Sequence, residues 1–205
     1  MSTAAVEFAG YQIDQAAQDV LFRHARTANN FADEPVTDEQ IRALYDLIQW
    51  GPTSMNAQPL RLVLIRTDDA KKRLISHLSE GNRAKAESAP LVAIVAADTN
   101  FHEHLPQLFA HSAGAKERFD GKDAMREQMA RNQTWLQAGY FIIGIRALGL
   151  AAGPMGGYDA QSLDNDFLAG TGLKSIMVVN IGKPGDNPWF ERLPRLPYDE
   201  VVTTL

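Results

Sequence analysis

The sequence contains no cysteine among its 205 residues. This absence excludes disulfide frameworks, thiolate zinc sites, thiol nucleophiles and Cys-x-x-Cys redox motifs. If the protein carries out redox chemistry, a bound cofactor must therefore supply it.

The sequence also lacks a basic cluster and an uninterrupted apolar run. Its 20 Lys and Arg residues are outnumbered by 25 Asp and Glu residues, and this balance argues against binding to nucleic acid. The most apolar stretch is interrupted by Arg146 and by glycines, so we predict no membrane span. The first residues show no basic segment followed by an apolar one, as a signal peptide would. We therefore predict a cytoplasmic protein.

The residues that are present indicate one globular domain over residues 1–205. Apolar residues make up 45% of the chain and charged residues 22%, as is typical of folded domains. No repeat, low-complexity run or flexible linker divides the chain. Helical periodicity predicts helices over 13–24, 37–50, 68–77 and 123–148, and apolar runs predict strands over 60–66, 90–98 and 175–183.

The final segment, residues 183–205, differs in composition from the rest. It contains four prolines, yet it also carries Trp189, Phe190 and Tyr198. A disordered tail would not normally hold this much apolar surface. We therefore expect the segment to lie extended against another surface, either its own chain or a second subunit.

Four groups of polar residues fall outside the predicted elements. Each has a plain explanation, because cations favour helix ends, polar residues and glycines favour turns, and arginine pairs are often solvated. The groups are Arg23–Phe31, the loop WGPTSMNAQP at 50–59, the segment AAGPMGGYD at 151–159, and the pair Arg192 and Arg195.

Considered together, the four groups suit an elongated anionic cofactor. Arg26, Thr27 and Arg195 offer charge-assisted hydrogen-bond donors for a phosphate. The loop at 50–59 offers amide and hydroxyl groups for the edge of a polar heterocycle, and the glycine-rich segment allows a ligand close to the backbone.

Other site types have weaker support in the sequence. No Gly-x-Gly-x-x-Gly follows a predicted strand, and no P-loop is present. His102 and His104 flank Glu103 without the His-Glu-x-x-His spacing or a clear third ligand, which disfavours a metal site. Ser54 lacks the Gly-x-Ser-x-Gly surroundings of a hydrolase nucleophile.

The order of the polar groups resembles that of the FMN-dependent nitroreductase family. That family begins with a basic-Ser-x-basic-x-Phe motif, which RTANNF matches with Thr27 in place of Ser and with Asn29 where a basic residue is common. Its Pro-Ser-x-x-Asn-x-Gln-Pro loop resembles PTSMNAQP, in which one extra residue, Thr53, lies between the Pro and the Ser. A glycine-rich segment and a late arginine resemble residues 154–157 and Arg195.

This resemblance implies an α+β fold with a central, mainly antiparallel sheet flanked by helices. It also implies an interlocked homodimer. In this dimer the long helix predicted over 123–148 forms the core of the interface, and residues 183–205 extend over the partner subunit. FMN is the implied cofactor and NAD(P)H the implied co-substrate. The residues implied to bind FMN are Arg26, Thr27, Asn29, Thr53, Ser54, Asn56, Gln58, Asn82, Lys85, Pro154, Met155, Gly156, Gly157 and Arg195.

Two of these residues have a specific implied role. The backbone N–H of Gly156 is expected to face the flavin N5 atom, through which hydride passes. Lys85 is expected to stabilise the negative charge of the reduced ring. No protein group is assigned as a catalytic acid.

A narrower resemblance concerns the acceptor. The stretches WGPTSMNAQP, GPMGGYD and RLPRL, together with Gly81, Asn82 and Lys85, resemble the subgroup that contains malonic semialdehyde reductase. This implies ping-pong hydride transfer to a small semialdehyde, reducing 3-oxopropanoate to 3-hydroxypropanoate. Nitroaromatic or quinone reduction remains an alternative. Alternatives of other classes are a flavin-binding protein without turnover and a structural module in which all four groups are turns.

Overall fold

A computed structural model describes residues 10–205 of the chain. The sequence-based prediction that no signal peptide is present concerns mainly the first nine residues, which lie outside this range. The helices are α1 (Gln15–Gln18), α2 (Asp38–Ile48), α3 (Asp68–His77), α4 (Glu80–Ser88), α5 (Leu105–Leu108), α6 (Asp123–Ala147), α7 (Ala160–Phe167) and α8 (Tyr198–Val201). The strands are β1 (Leu60–Ile65), β2 (Leu91–Asp98), β3 (Ala151–Met155) and β4 (Leu173–Gly182).

The four strands form one antiparallel sheet in the order β1-β2-β4-β3. All eight residues of β2 are buried, which explains why that strand is apolar on both faces. Helices α2 and α6 pack on one face of the sheet, while α3, α4 and α7 pack on the other. The predicted α+β class with an antiparallel sheet and flanking helices is confirmed.

Local sequence signals account for the ends of α2. The Thr37 hydroxyl accepts a hydrogen bond from the Gln40 N–H at 3.2 Å, and the Gln40 side-chain oxygen accepts one from the Thr37 N–H at 2.9 Å. Thr37 and Gln40 have the sequence spacing that predicts a capping box, and this arrangement satisfies two N–H groups that a helix start leaves unpaired. The helix then ends just before Gly51 and Pro52.

Helix α6 crosses all four strands, but only one of its faces is buried in the single chain. Phe141 and Ile145 are fully buried, whereas Trp135 is 47% and Tyr140 43% exposed. The sequence from Trp135 onward is apolar nearly all round and predicts a buried helix, but this expectation is not met within one chain alone. Over residues 10–205, no helix is long and apolar enough to cross a bilayer.

Several elements were not predicted from the sequence, namely helices α4, α5, α7 and α8 and strand β3. Helix α4 was not predicted, because only Ala86 of its nine residues is buried and its apolar pattern is weak. Strand β3 was predicted as part of a glycine-rich turn, but Pro154 and Met155 belong to the strand. Proline is tolerated there because β3 is an edge strand, where one row of N–H groups has no partner strand.

The contact between α2 and α6 depends on Gly144. A Cβ atom at this position would lie 2.5 Å from Ile48 Cγ2 and 2.6 Å from Leu44 Cδ1. We expect Gly144→Ala to lower the free energy of unfolding by about 1–3 kcal/mol, because added volume in a packed core forces neighbours to shift. Urea denaturation measures this effect.

Gly81→Ala is the matched control, since nothing lies within 4 Å of a Cβ at that helical position. Alanine is the better helix former, so the control is expected to leave stability unchanged or to raise it by up to about 1 kcal/mol. Equal stability changes in the two variants would contradict the packing argument.

Candidate functional site

The first half of the carboxy-terminal tail lies against its own chain. Residues 183–192, here called the strap, run antiparallel to residues 23–32, here called the arm. Hydrogen bonds run from Ala32 N to Lys183 O at 3.0 Å, from Gly185 N to Asn30 O at 3.1 Å, and from Asn29 N to Pro188 O at 2.9 Å. Two surfaces were considered for the tail, its own chain and a second subunit, and the strap packs against its own chain. That residues 193–205 extend over a partner stays a prediction.

Two arginines join the outer part of the strap to the arm. Arg26 donates from Nη1 to the Phe190 carbonyl at 3.2 Å. In the opposite direction, Arg192 donates from Nη2 to the carbonyls of Arg23 at 2.7 Å and Ala25 at 3.1 Å. The two segments therefore hold each other through reciprocal side-chain contacts.

A cavity of about 300 Å³ lies between the arm, the strap and α4. We call it the cationic pocket, because Arg26, Lys85, Arg192 and Arg195 all line it, with Glu191 as its one acidic residue. Among the described residues, none of these four cations has a carboxylate oxygen within 4.0 Å. Cations gathered without carboxylate partners favour a bound anion, and arginine suits phosphate especially.

The structure brings five of the predicted site residues together in this pocket. These are Arg26, Thr27, Asn29, Lys85 and Arg195. Sequence reasoning missed Arg192 and Phe190 as lining residues. Arg192 was noted as half of an arginine pair, but only Arg195 matched a motif position, and Phe190 was considered only as apolar tail surface.

A second group of predicted residues lies at the other end of α4. Asn82 donates from its side chain to the Gly157 carbonyl at 3.0 Å, and Ser79 N–H donates to the same oxygen at 3.0 Å. Asn82 precedes Lys85 by about one helical turn, so α4 links this group to the cationic pocket. Gly156 is exposed and follows Met155, where the β3–β4 register ends.

The third group of predicted residues, the loop at 53–58, has a strained backbone. Met55, Asn56 and Gln58 have φ values of 56°, 50° and 43°, which cost non-glycine residues about 1–2 kcal/mol each. The loop maintains this shape through its own polar groups: the Thr53 hydroxyl accepts from Gln58 N–H, and Gln58 donates from its side chain to Asn56. Such strain clusters at functional sites, so the loop remains a candidate part of the site.

This loop is absent from the lining of the cationic pocket. Its contacts run instead to α5 and α6: Asn56 donates to the Leu108 carbonyl at 3.0 Å, and Ser54 N–H donates to Gln133 Oε1 at 2.7 Å. Gln58 lines a separate cavity of about 180 Å³ with Arg61 and His104. In one chain, the predicted site is therefore divided between two surfaces.

No three His, Asp or Glu side chains within residues 10–205 are arranged to hold a metal ion. A separate cluster of polar side chains lies between α3 and α7. His77 lies between Ser162 at 2.9 Å and Asp166 at 3.0 Å, but Arg73 also bonds to Asp166. The hydrogen bond from Arg73, followed by that from His77, lowers the pKa of the Asp166 carboxyl. We interpret this cluster as a clamp that joins α3 to α7.

Comparisons with known proteins agree with the fold. A model described as "Nitroreductase family" matches residues 22–183. A protein of Streptomyces griseus, named "Putative NADH dehydrogenase/NAD(P)H nitroreductase", is 57% identical over 193 residues, which cover 94% of this chain and 98% of the relative.

Solved structures share the architecture at low sequence identity. The "putative nitroreductase ydfN" of Bacillus subtilis has a TM-score of 0.83 and 22% identity, covering 94% of this chain and 100% of that one. A "putative nitroreductase in complex with FMN" from Exiguobacterium sibiricum has a TM-score of 0.78 and 18% identity, covering 95% and 99%. None of these names identifies a semialdehyde reductase, so that narrower resemblance stays a prediction. The family match and the close relative show that this chain belongs to the nitroreductase family.

Proposed function

We propose that the protein is an FMN-dependent NAD(P)H oxidoreductase that transfers hydride to a small organic acceptor. The cationic pocket carries this proposal, because its cations, which have no carboxylate partner in the described part of the chain, and the Thr27 hydroxyl match the donor set that a phosphate monoester requires. Family membership and the FMN complex of the Exiguobacterium neighbour support the choice of cofactor.

The residues that are present fit FMN at the phosphate end. Arg26, Thr27 and Arg195 would hold the phosphate, with Lys85 nearby as a further cation. The pocket is at the lower end of the range for small-molecule sites, about 300–1,000 Å³, so it suits one end of an elongated ligand. The Gly156 N–H lies just beyond the β3–β4 register, and it would face the flavin N5 atom.

When bound, FMN supplies the redox centre that accepts hydride from NAD(P)H and delivers it to the acceptor in a ping-pong cycle. The chain supplies binding, orientation and electrostatics. Lys85 would stabilise negative charge on the reduced cofactor, whereas Asn29 offers only a neutral amide where a cation is common in the family. The positive charge beside the reduced ring would therefore come from Lys85 on α4 and not from position 29 of the arm.

We propose further that the site is completed in a homodimer. An aromatic surface on α6 and the residues that follow α2 is exposed in the single chain, with Trp50 at 81% in addition to Trp135 and Tyr140. The strained loop borders this surface, since Gly51 packs against the Tyr140 ring and Ser54 bonds to α6. A partner docked on this surface would bring its own loop along, and obligate interfaces are apolar in this way.

The rest of the tail supports the same assembly. Residues 193–205 expose Leu193, Leu196 and Tyr198, each by more than two thirds. Such exposure is unfavourable in water and is relieved when the segment packs on a second subunit. Residues 183–192 would thus pack on their own chain, and residues 193–205 would pack on the partner subunit.

For the acceptor we propose a semialdehyde such as malonic semialdehyde, reduced to 3-hydroxypropanoate. The loop, glycine-rich and RLPRL stretches that resemble that subgroup support it. The name of the Streptomyces relative favours a nitroaromatic acceptor instead. Both acceptors can take hydride or electrons from the same reduced cofactor.

The phosphate assignment predicts that Arg26→Ala and Arg195→Ala each weaken FMN binding. A charge-assisted hydrogen bond contributes roughly 1.5–3 kcal/mol, so each variant is expected to lose affinity about ten-fold or more. Fluorescence titration of the apoprotein with FMN measures this. Lys174→Ala removes an exposed cation outside the pocket and serves as control. Wild-type affinity in both arginine variants would remove the assignment.

The catalytic assignment predicts that NADH or NADPH rapidly bleaches the bound flavin, as followed at its visible absorbance. In stopped-flow experiments, malonic semialdehyde is expected to re-oxidise the reduced protein faster than a nitroaromatic compound or a quinone. Faster re-oxidation by either of those would replace the semialdehyde as acceptor. Tight FMN binding with slow bleaching would instead indicate a flavin-binding protein without turnover.

A further inference from the structure

Arg192 has a role that the phosphate site does not require. We propose that Arg192 is a positioning residue, which fastens the strap to the arm and so keeps the cationic pocket closed around its anionic ligand. That this ligand is FMN rests on the proposed function, whereas the fastening itself rests only on contacts within the chain.

The backbone pairing of strap and arm ends before the pocket is complete. Asn29 N to Pro188 O is its last hydrogen bond, and within residues 10–205 no backbone hydrogen bond joins 189–196 to another segment. Residues 189–192, which we call the outer strap, are therefore bonded to the arm by side chains. Arg26 donates to the Phe190 carbonyl, and Arg192 donates to two carbonyls of the arm.

The pocket wall belongs to this weakly paired part of the chain. Phe190, Leu193 and Arg195 all line the cavity, and all follow Pro188. If the outer strap separates from the arm, Arg195 moves away from Arg26 and the pocket opens. Retention of an anion thus depends on the contacts that stop the strap from fraying.

Of the two arginines that join strap and arm, Arg192 is the one that uses both protons of its bonded nitrogen within the chain. Its Nη2 carries two protons, and these match the two carbonyls of Arg23 and Ala25. Arg26 uses one donor on Phe190 and has others that can face a ligand. A lysine at 192 would keep the charge and one or more donors but lose the planar fork.

The test compares Arg192→Met and Arg192→Lys with wild type in two assays. Limited proteolysis of the apoprotein with chymotrypsin, in buffer free of phosphate, reports on the strap through cleavage after Trp189 and Phe190. The dissociation rate of FMN from the loaded protein reports on retention. We expect Arg192→Met to raise both rates about ten-fold or more, since two hydrogen bonds to a charged donor are lost. Arg192→Lys should fall between that variant and wild type.

Arg73→Met is the control for a general loss of stability. Arg73 also joins two segments, α3 and α7 through Asp166, but it is absent from the pocket lining. Its loss is expected to lower the thermal midpoint without changing strap cleavage or the FMN dissociation rate. If Arg192→Met does not fold, Arg192→Lys carries the comparison alone.

Each contrary result identifies its cause. Unchanged cleavage of the apoprotein would overturn the fastening role, and any faster FMN loss would then indicate direct phosphate contact by Arg192. Faster cleavage with an unchanged FMN dissociation rate would overturn the link to retention. If wild type takes up no FMN, the proposed function fails, while the cleavage comparison still decides whether Arg192 fastens the strap.

Discussion

The antiparallel pairing of the arm with the strap is the interaction on which the rest of the site depends. Strand β4 runs directly into the strap, and Ala28 N–H of the arm donates to the Ala152 carbonyl of β3 at 3.2 Å. The pocket is thus an extension of the β3–β4 edge of the sheet. Gly153 makes the contact possible, because a Cβ there would lie 2.8 Å from the Ala28 carbonyl oxygen.

Two local costs mark the two parts of the candidate site. In the pocket, four cations face one cavity without carboxylate partners among residues 10–205, and a bound anion would relieve their repulsion. In the loop at 53–58, three non-glycine residues adopt left-handed backbone angles, which the surrounding contacts with α5 and α6 maintain. The hydrophobic cores on the two faces of the sheet stabilise the fold and offset both of these unfavourable terms. The pocket and the loop lie on different surfaces of one chain. The proposed site therefore requires a second copy of the chain to bring them together.

Local sequence patterns predicted the elements whose signals are local. The capping box of α2, the fully apolar β2 and the long α6 all appear where their residues indicate. Helix α4 escaped prediction because its exposed surface leaves little periodicity, and β3 because Gly153 and Pro154 are more typical of turns. The role of Arg192 could not be predicted, since its partners Arg23 and Ala25 are more than 160 residues away in sequence. The side of α6 that stays exposed is likewise a property of tertiary packing, which the sequence from Trp135 onward, apolar nearly all round, does not reveal.

A subunit-mixing experiment tests the central claim, that each site combines the pocket of one chain with the loop of another. Arg195→Ala impairs the pocket, and Asn56→Ala removes a side chain that holds the loop to α5 and to Gln58. The two variants are unfolded together, refolded in equal amounts, and titrated with FMN. The account predicts that about one quarter of the sites regain wild-type affinity, since half of the random dimers are mixed and each mixed dimer has one intact site. A mixture with no such sites would contradict the account.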